Sequence, residues 1–199
     1  SVVIPPVGRY SWPVTNWFST ENMAIRHGLR PWSEAHWAMI AQYAHLMAHG
    51  RQNTFWFTFK DMFDVRNGTL VLHRDRLRRY VNLFTRADLH FIEGGHFGRR
   101  STDEWTCPTF SVSLTGNRAT TAEGNADLAA AGRQLMEEIR ANHWEGRYLQ
   151  HVADEPIPEN ALDYRLFVGM VRKYMPGIPL VDAVLDPSLP GTVDIWCPQ

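Results

Sequence analysis

The stretch "RYLQHVADEP", residues 147–156, decides how this chain is read. "RYLQHV" reads as a strand, and Asp154 and Glu155 then stand side by side before Pro156. Side chains along a regular strand alternate between faces, so adjacent carboxylates reach one pocket only where the strand ends and the backbone turns. Pro156 has no N–H for a ladder and pushes Glu155 towards extended geometry, which favours a strand end here. "ALDYRLFVGMVRKYM" (161–175) follows as a helix closed by Pro176 and Gly177, and "PLVDAV" (179–184) as another strand. A strand, a helix and a second apolar strand make the repeating unit of a parallel sheet.

The same alternation runs upstream. "VTNWF" (14–18) reads as a strand, and "SEAHWAMIAQYAHLMAHG" (33–50) as a helix that Ser33 caps and Gly50 ends. Trp37, Ile40, Ala41, Ala44, Met47 and Ala48 recur at helical spacing within it. "TFWFTF" (54–59) is a strand, and "MFDVRNGTLVLH" a hairpin turning at Asn67-Gly68. Asn53, just before "TFWF", suits a turn. "DRLRRYVNLFTRAD" (75–88) and "NADLAAAGRQLMEEIRANHW" (125–144) are helices, "LHFIEGG" (89–95) is a strand, and "TVDIW" (192–196) closes the series. Residues 97–123 show little periodicity and are assigned no element.

Two α/β architectures compete, an open doubly wound sheet and a (β/α)8 barrel. A nucleotide-binding open sheet carries a Gly-rich first turn, and none follows "VTNWF". A barrel gathers function at the carboxyl ends of its strands. Polar and aromatic groups recur there: Asn16 and Trp17, Glu93 and His96, Asp154 and Glu155, Asp182, and Trp196. The barrel is the better reading. With six strands read where eight are needed, either the (β/α)8 barrel is truncated after about the sixth strand or the chain holds strands that its pattern does not reveal; truncation is the expectation. Residues 1–13 are a linker from a preceding region, and residues 14–199 form the partial barrel domain.

Composition removes other classes. The 199 residues are 44% hydrophobic, enough for a packed core, and 20 basic against 21 acidic side chains leave a net charge of -1. That balance gives no electrostatic basis for nucleic acid or an acidic membrane surface. No apolar run approaches the ~18–20 residues needed to cross a bilayer. Cys107 and Cys197 have no metal-ligand spacing, and they either pair or stay reduced. Eight Trp and ten Phe, with polar groups among them, suit the stacking surfaces that sugars favour.

Two carboxylates this close cannot both ionise freely, so one should be held as a proton donor near neutral pH. A solvated loop leading into the next helix is the other reading of "DEPIPEN". Context comes from the motifs "NWFSTENMA" (16–24), "SEAHWAMIAQYAHLMAHGRQN" (33–53), "EGGHFG" (93–98), "YLQHVADEP" (148–156) and "VDIWCPQ" (193–199). Through these, across nearly its whole length, the chain resembles the catalytic domain of glycoside hydrolase family 123. These are β-N-acetylgalactosaminidase-like proteins, once grouped as a domain of unknown function. The H-x-x-DEP block is the most specific of the motifs, and residues 97–123 stand outside the resemblance.

The resemblance implies a (β/α)8 barrel, commonly preceded by a β-sandwich region, and a substrate-assisted retaining mechanism. Glu155 is then the general acid/base, and Asp154 orients the 2-acetamido group. An adjacent pair suits that division, because an acid and a separate nucleophile would have to stand about 5–5.5 Å apart around the scissile bond. The expected substrate is a carbohydrate, a terminal β-linked N-acetylhexosamine and above all N-acetylgalactosamine, with no cofactor and no metal. Secretion fits such an enzyme, although the opening residues lack a signal-peptide pattern.

Supporting residues follow from position. Trp17 and Trp196 are candidate walls against a sugar face, or ordinary core. His96, flanked by glycines that permit close approach, is a candidate donor to a sugar hydroxyl. Glu93 and His96 have the E-x-x-H spacing of a di-iron pair, but that pair needs a helix, and this is a strand followed by glycines. His151 and Asp182 are further substrate-binding candidates; Asp182, an acid in an apolar run, holds a substrate hydroxyl or bonds to a neighbouring strand. Tyr164 is expected in the core. A two-carboxylate glycosidase using Glu155 with Glu93 is an alternative. So is a non-catalytic carbohydrate-binding or scaffold fragment, whose open sheet edges would favour a homo-oligomer.

Overall fold

The computed structural model describes residues 12–184 and 188–198. Its elements run α1 (Thr20–Arg26), α2 (Glu34–His49), β1 (Thr54–Phe57), α3 (Phe59–Met62), β2 (Phe63–Arg66), β3 (Thr69–Leu72), α4 (Arg74–Arg86) and β4 (Phe91–Gly94). They continue with β5 (Gly98–Arg100), β6 (Phe110–Val112), α5 (Ala122–Ala141), β7 (Tyr148–Gln150), α6 (Ala161–Tyr174), β8 (Val181–Val184) and β9 (Ile195–Pro198). The chain divides into two compact units. Residues up to 57 together with 75–93 form the first, and residues 58–74 together with 94 onwards form the second.

In the first unit, Ser33 caps α2 by accepting from the His36 N–H at 3.3 Å. Trp37, Ile40, Ala44 and Met47 are the buried stripe of α2, and Leu77, Tyr80, Val81 and Phe84 that of α4. Both follow the three-and-four spacing that puts side chains on one helix face. Phe84 stacks on Phe55 of β1 with centroids 4.7 Å apart, and the Tyr80 hydroxyl donates to the Trp56 carbonyl at 2.9 Å. On the surface Arg79 grips both oxygens of Glu34 and lies 4.5 Å over the Trp37 ring.

The segment expected as a first strand, residues 14–18, is extended but not a strand. Instead of a ladder, Asn53 and Thr54 both donate to the single carbonyl of Val14, each at 3.2 Å. The Asn53 side chain accepts from the Val14 N–H at 2.8 Å and donates to the Trp12 carbonyl at 3.1 Å. Side-chain amides do the pairing, so the hydrophobic run never enters a sheet. Asn53 is thus a clasp rather than a turn residue. Helix α1 begins where the expected strand ends, with Ser19 accepting from the Asn22 N–H at 3.1 Å.

In the second unit the hairpin β2–β3 turns as expected at Asn67 (φ 49°) and Gly68 (φ 74°), the left-handed pair of a type I′ turn. Gln134 of α5 stitches the edge of β3, accepting from the Leu72 N–H at 3.0 Å and donating to the Leu70 carbonyl at 2.9 Å. α5 meets α6 at Gly132, where a Cβ would lie 2.7 Å from that of Tyr174. β7 runs parallel to the chain before β8 through the Gln150–Leu180 bridge, with α6 as the crossover between them. This is the strand–helix–strand unit that opened the reading. The unassigned stretch folds into the antiparallel ribbon β5–β6 and reaches the first two residues of α5.

β8 pairs in parallel with β9, in the register Asp182 to Trp196. Among the described residues the strands fall into small separate sheets and do not close a barrel. The linker assigned to residues 1–13 lies outside the described residues up to residue 11.

Candidate functional site

β7 ends at Gln150, and the chain stays extended through His151 and Val152, whose N–H and carbonyl bond Gly94 (3.0 Å) and Gly98 (2.8 Å) respectively. It then bends at Ala153 and Asp154, and Glu155 adopts φ 45°, the left-handed region. Sequence logic gave Glu155 extended backbone, because a following proline disfavours the right-handed helical region. The left-handed alternative costs a non-glycine residue on the order of 1 kcal/mol and is stable only when its surroundings hold it. Arg100 of β5 does so: its Nη1 donates to the Asp154 carbonyl at 3.2 Å and its Nη2 to the Glu155 carbonyl at 2.8 Å. The backbone is clamped while the carboxylates stay outside the clamp, and the Asp154 side chain is 53% exposed.

Behind this turn lies a buried centre. Asp182 of β8 is 0% exposed, and every contact it makes is a donor. Its Oδ1 meets His151 Nδ1 at 2.7 Å; its Oδ2 accepts from the Tyr164 hydroxyl at 2.5 Å and from the Val152 and Ala153 N–H groups at 3.0 and 3.3 Å. A buried carboxylate needs this many donors to offset its lost hydration. Of the two roles expected for Asp182, bonding to a neighbouring strand describes these contacts. Burial, together with the Asp182 carboxylate that accepts its proton, pushes the Tyr164 hydroxyl well above the usual phenol range.

His96 stands between the centre and the turn. Its Nε2 is 3.6 Å from Asp182 Oδ1 and 3.7 Å from Asp154 Oδ1, and its ring meets the His151 ring edge-on at 4.7 Å. Burial, reinforced by His151 and opposed by Asp182, lowers the His96 pKa to about 4. His96 is therefore neutral at neutral pH. Desolvation by the surrounding protein raises the Asp154 carboxyl above its ordinary value, against the pull of His151 and Arg100. The expected raising of one carboxyl thus falls on Asp154, through burial rather than through its neighbour's charge.

The glycines of "EGGHFG" serve packing. A Cβ on Gly94 would overlap the Tyr148 hydroxyl and the Gln150 side chain, and Gln150 Nε2 donates to the carbonyls of Gly94 and Gly95 at 3.2 and 2.7 Å. Donor atoms of His96, His151 and Asp182 lie within 4.8 Å of one another, so the residue types could suit a cation. The four short contacts already on Asp182 make the group a hydrogen-bonded network instead.

The sequence candidates divide between the units. Asp154, His96, His151 and Asp182 come together in the second, with Glu155 following Asp154 and Trp196, 37% exposed, opposite Asp182 in register. Trp17 and Glu93 belong to the first. There Trp17 stacks flat on Trp56 at 4.4 Å, and its indole N–H donates to Glu93 Oε1 at 3.3 Å. Three participants escaped the sequence reading: Tyr164, taken for core, and Arg100 and Trp105, in the stretch without periodicity. The dipeptide Arg99-Arg100 was visible, but nothing local says that one of the two spans a turn 54 residues away.

No family model matches the chain, and no curated protein does. Among solved structures it is similar to a family 123 glycoside hydrolase from Clostridium perfringens, studied for glycolipid glycan hydrolysis. The TM-score is 0.64 at 9% identity, over 92% of this chain and 37% of that enzyme. At that identity the likeness is one of fold. The chain spans little more than a third of the enzyme's length.

Proposed function

We propose that this chain is part of the catalytic (β/α) barrel of a glycoside hydrolase related to family 123, acting on a terminal β-linked N-acetylhexosamine such as N-acetylgalactosamine. The observation that carries the reading is the Asp154–Glu155 turn. Two adjacent carboxylates sit past the end of a strand on a left-handed backbone that Arg100 clamps from behind. A turn held through its carbonyls leaves both acids available to a ligand. The fold shared with part of a glycoside hydrolase supports a carbohydrate as that ligand.

The chemistry follows from the pair. The acetamido oxygen of the sugar attacks C1, the bond to the leaving oxygen breaks, and Glu155 gives that oxygen its proton. Asp154 accepts from the acetamide N–H; the raised basicity of its carboxylate strengthens that bond as positive charge grows on the oxazolinium. Water then attacks C1 from the vacated side as the C1–O bond of the oxazolinium breaks and the acetamide re-forms, with Glu155 now taking the water's proton, and the configuration is retained. His96, neutral at neutral pH, stands 3.7 Å from Asp154 Oδ1 and adds no positive charge beside it.

The test is hydrolysis of a nitrophenyl β-N-acetylgalactosaminide by the parent chain and by Glu155→Gln and Asp154→Asn. Each substitution should lower kcat by roughly 10²- to 10⁴-fold, with the Glu155→Gln loss shrinking for better leaving groups. Activity that survives both removes the pair from the mechanism. Insensitivity to a thiazoline mimic of the intermediate would count against substrate assistance.

A further inference from the structure

The loop between β5 and β6, residues 101–109, carries one aromatic side chain, and it is held out to solvent: the Trp105 ring is 49% exposed. The loop itself is tightly knit. Ser101 N–H donates to the Thr109 carbonyl at 2.9 Å, Cys107 N–H to the Glu104 carbonyl at 3.1 Å, and Asn160 Nδ2 to the Cys107 carbonyl at 3.2 Å. An exposed indole on a loop this constrained is positioned rather than loose, so little side-chain freedom is left to lose on binding.

Arg100 joins this indole to the acid turn. Its Nε donates to the Trp105 carbonyl at 2.8 Å and its guanidinium carbon lies 3.9 Å from the ring centroid. The other two nitrogens of the same planar group hold the carbonyls of Asp154 and Glu155. One side chain therefore sets the spacing between an aromatic ring and the carboxylates. With the guanidinium over the ring, the half-exposed indole still offers an apolar surface, tied through Arg100 to the backbone of the acid turn. An uncharged pyranose, which presents C–H bonds on one face and hydroxyls at its rim, fits such a surface.

We propose that Trp105 is the stacking platform for the sugar on the leaving-group side of the scissile bond, and so a determinant of which aglycone is accepted. The assignment rests on the hydrolytic reading above for its orientation, because Asp154 holds the acetamido sugar and the leaving-group sugar lies on the other side of the oxygen that Glu155 protonates.

Two readouts test it. The first compares kcat/KM for a disaccharide of N-acetylgalactosamine β-linked to galactose with that for N-acetylgalactosaminyl fluoride, whose leaving group has no ring. Trp105→Ala should lower the disaccharide-to-fluoride ratio roughly tenfold, the size of one aromatic contact, and Trp105→Phe should restore most of it. A ratio that does not change overturns the proposal. The second follows the indole N–H resonance of Trp105, assigned with Trp105→Phe, during titration with the disaccharide or with N-acetylgalactosamine alone. A shift with the disaccharide only supports the platform. No shift with the disaccharide, or an equal shift with both sugars, overturns it. A parent that hydrolyses neither substrate while Trp105 still answers the disaccharide alone would sink the hydrolytic reading and leave the platform standing.

Discussion

Glu93 lies near the end of β4 and Asp154 four residues past β7, and each has an aromatic or imidazole ring near it, yet the two regions treat their carboxylates differently. Glu93 is buried and accepts from the indole of Trp17, which is itself stacked on Trp56. Protein rather than solvent surrounds it. Asp154 stands half-exposed on a turn whose bonds all run through the backbone, with His96 at 3.7 Å from its oxygen, beyond hydrogen-bond length. Asp182, only one layer deeper, repeats the Glu93 solution in stronger form, with four donors on two oxygens. The contrast separates acids buried among donors, which hold structure, from an acid whose backbone is fixed while its side chain is left half-exposed.

The contrast can be broken most directly at Asp182. Asp182→Ala leaves the Tyr164 hydroxyl, the His151 imidazole and two N–H groups buried without their acceptor. It should lower stability by about 3–5 kcal/mol in urea unfolding. A loss no larger than that of a surface substitution would mean that the buried centre is not the support of the turn.

His96 sharpens the comparison through pH. Its folded pKa, about 4, lies below the ordinary 6.5, so the unfolded chain binds the proton more readily. Stability is then full above about pH 6.5 and falls as pH drops towards 4, by a total of order 3 kcal/mol. The raised Asp154 carboxyl works with the opposite sign: its contribution is present below the ordinary carboxylate range and is lost as pH rises through its folded value. Urea midpoints measured across this range should flatten in His96→Gln; an unchanged slope would assign the pH dependence elsewhere. The smallest effect belongs to the first unit. Trp17→Phe keeps a ring against Trp56 and removes only the donor to Glu93, for a loss of about 1 kcal/mol in the same assay.

Local chemistry made several elements legible. The Asn67-Gly68 turn needs left-handed backbone at both positions, and few other dipeptides tolerate it, so the hairpin could be read directly. Helices α2, α4, α5 and α6 announce themselves by the spacing of their buried residues, and α2 also by its Ser33 cap. The failures have equally local causes. Residues 14–18 have strand composition, but the side chain of Asn53 intercepts the backbone groups a ladder would use. Residues 97–123 hold a ribbon with three residues in each strand, too short for alternation to register against its polar loop.

By itself the sequence determined that an acid pair stands at the end of a strand, because adjacency, the apolar run before it and the proline after it are all local facts. Tertiary structure alone decided what surrounds that pair. Arg100, His96, Tyr164 and Asp182 lie 55, 58, 9 and 28 positions from Asp154 or Glu155 in the chain, and hydrogen bonds between such residues depend on folded geometry, which leaves no periodic trace. It also decided which carboxylates are occupied. Glu93 and Asp182 look as available in the sequence as Asp154 does, and only burial beside the right donors removes them from the surface.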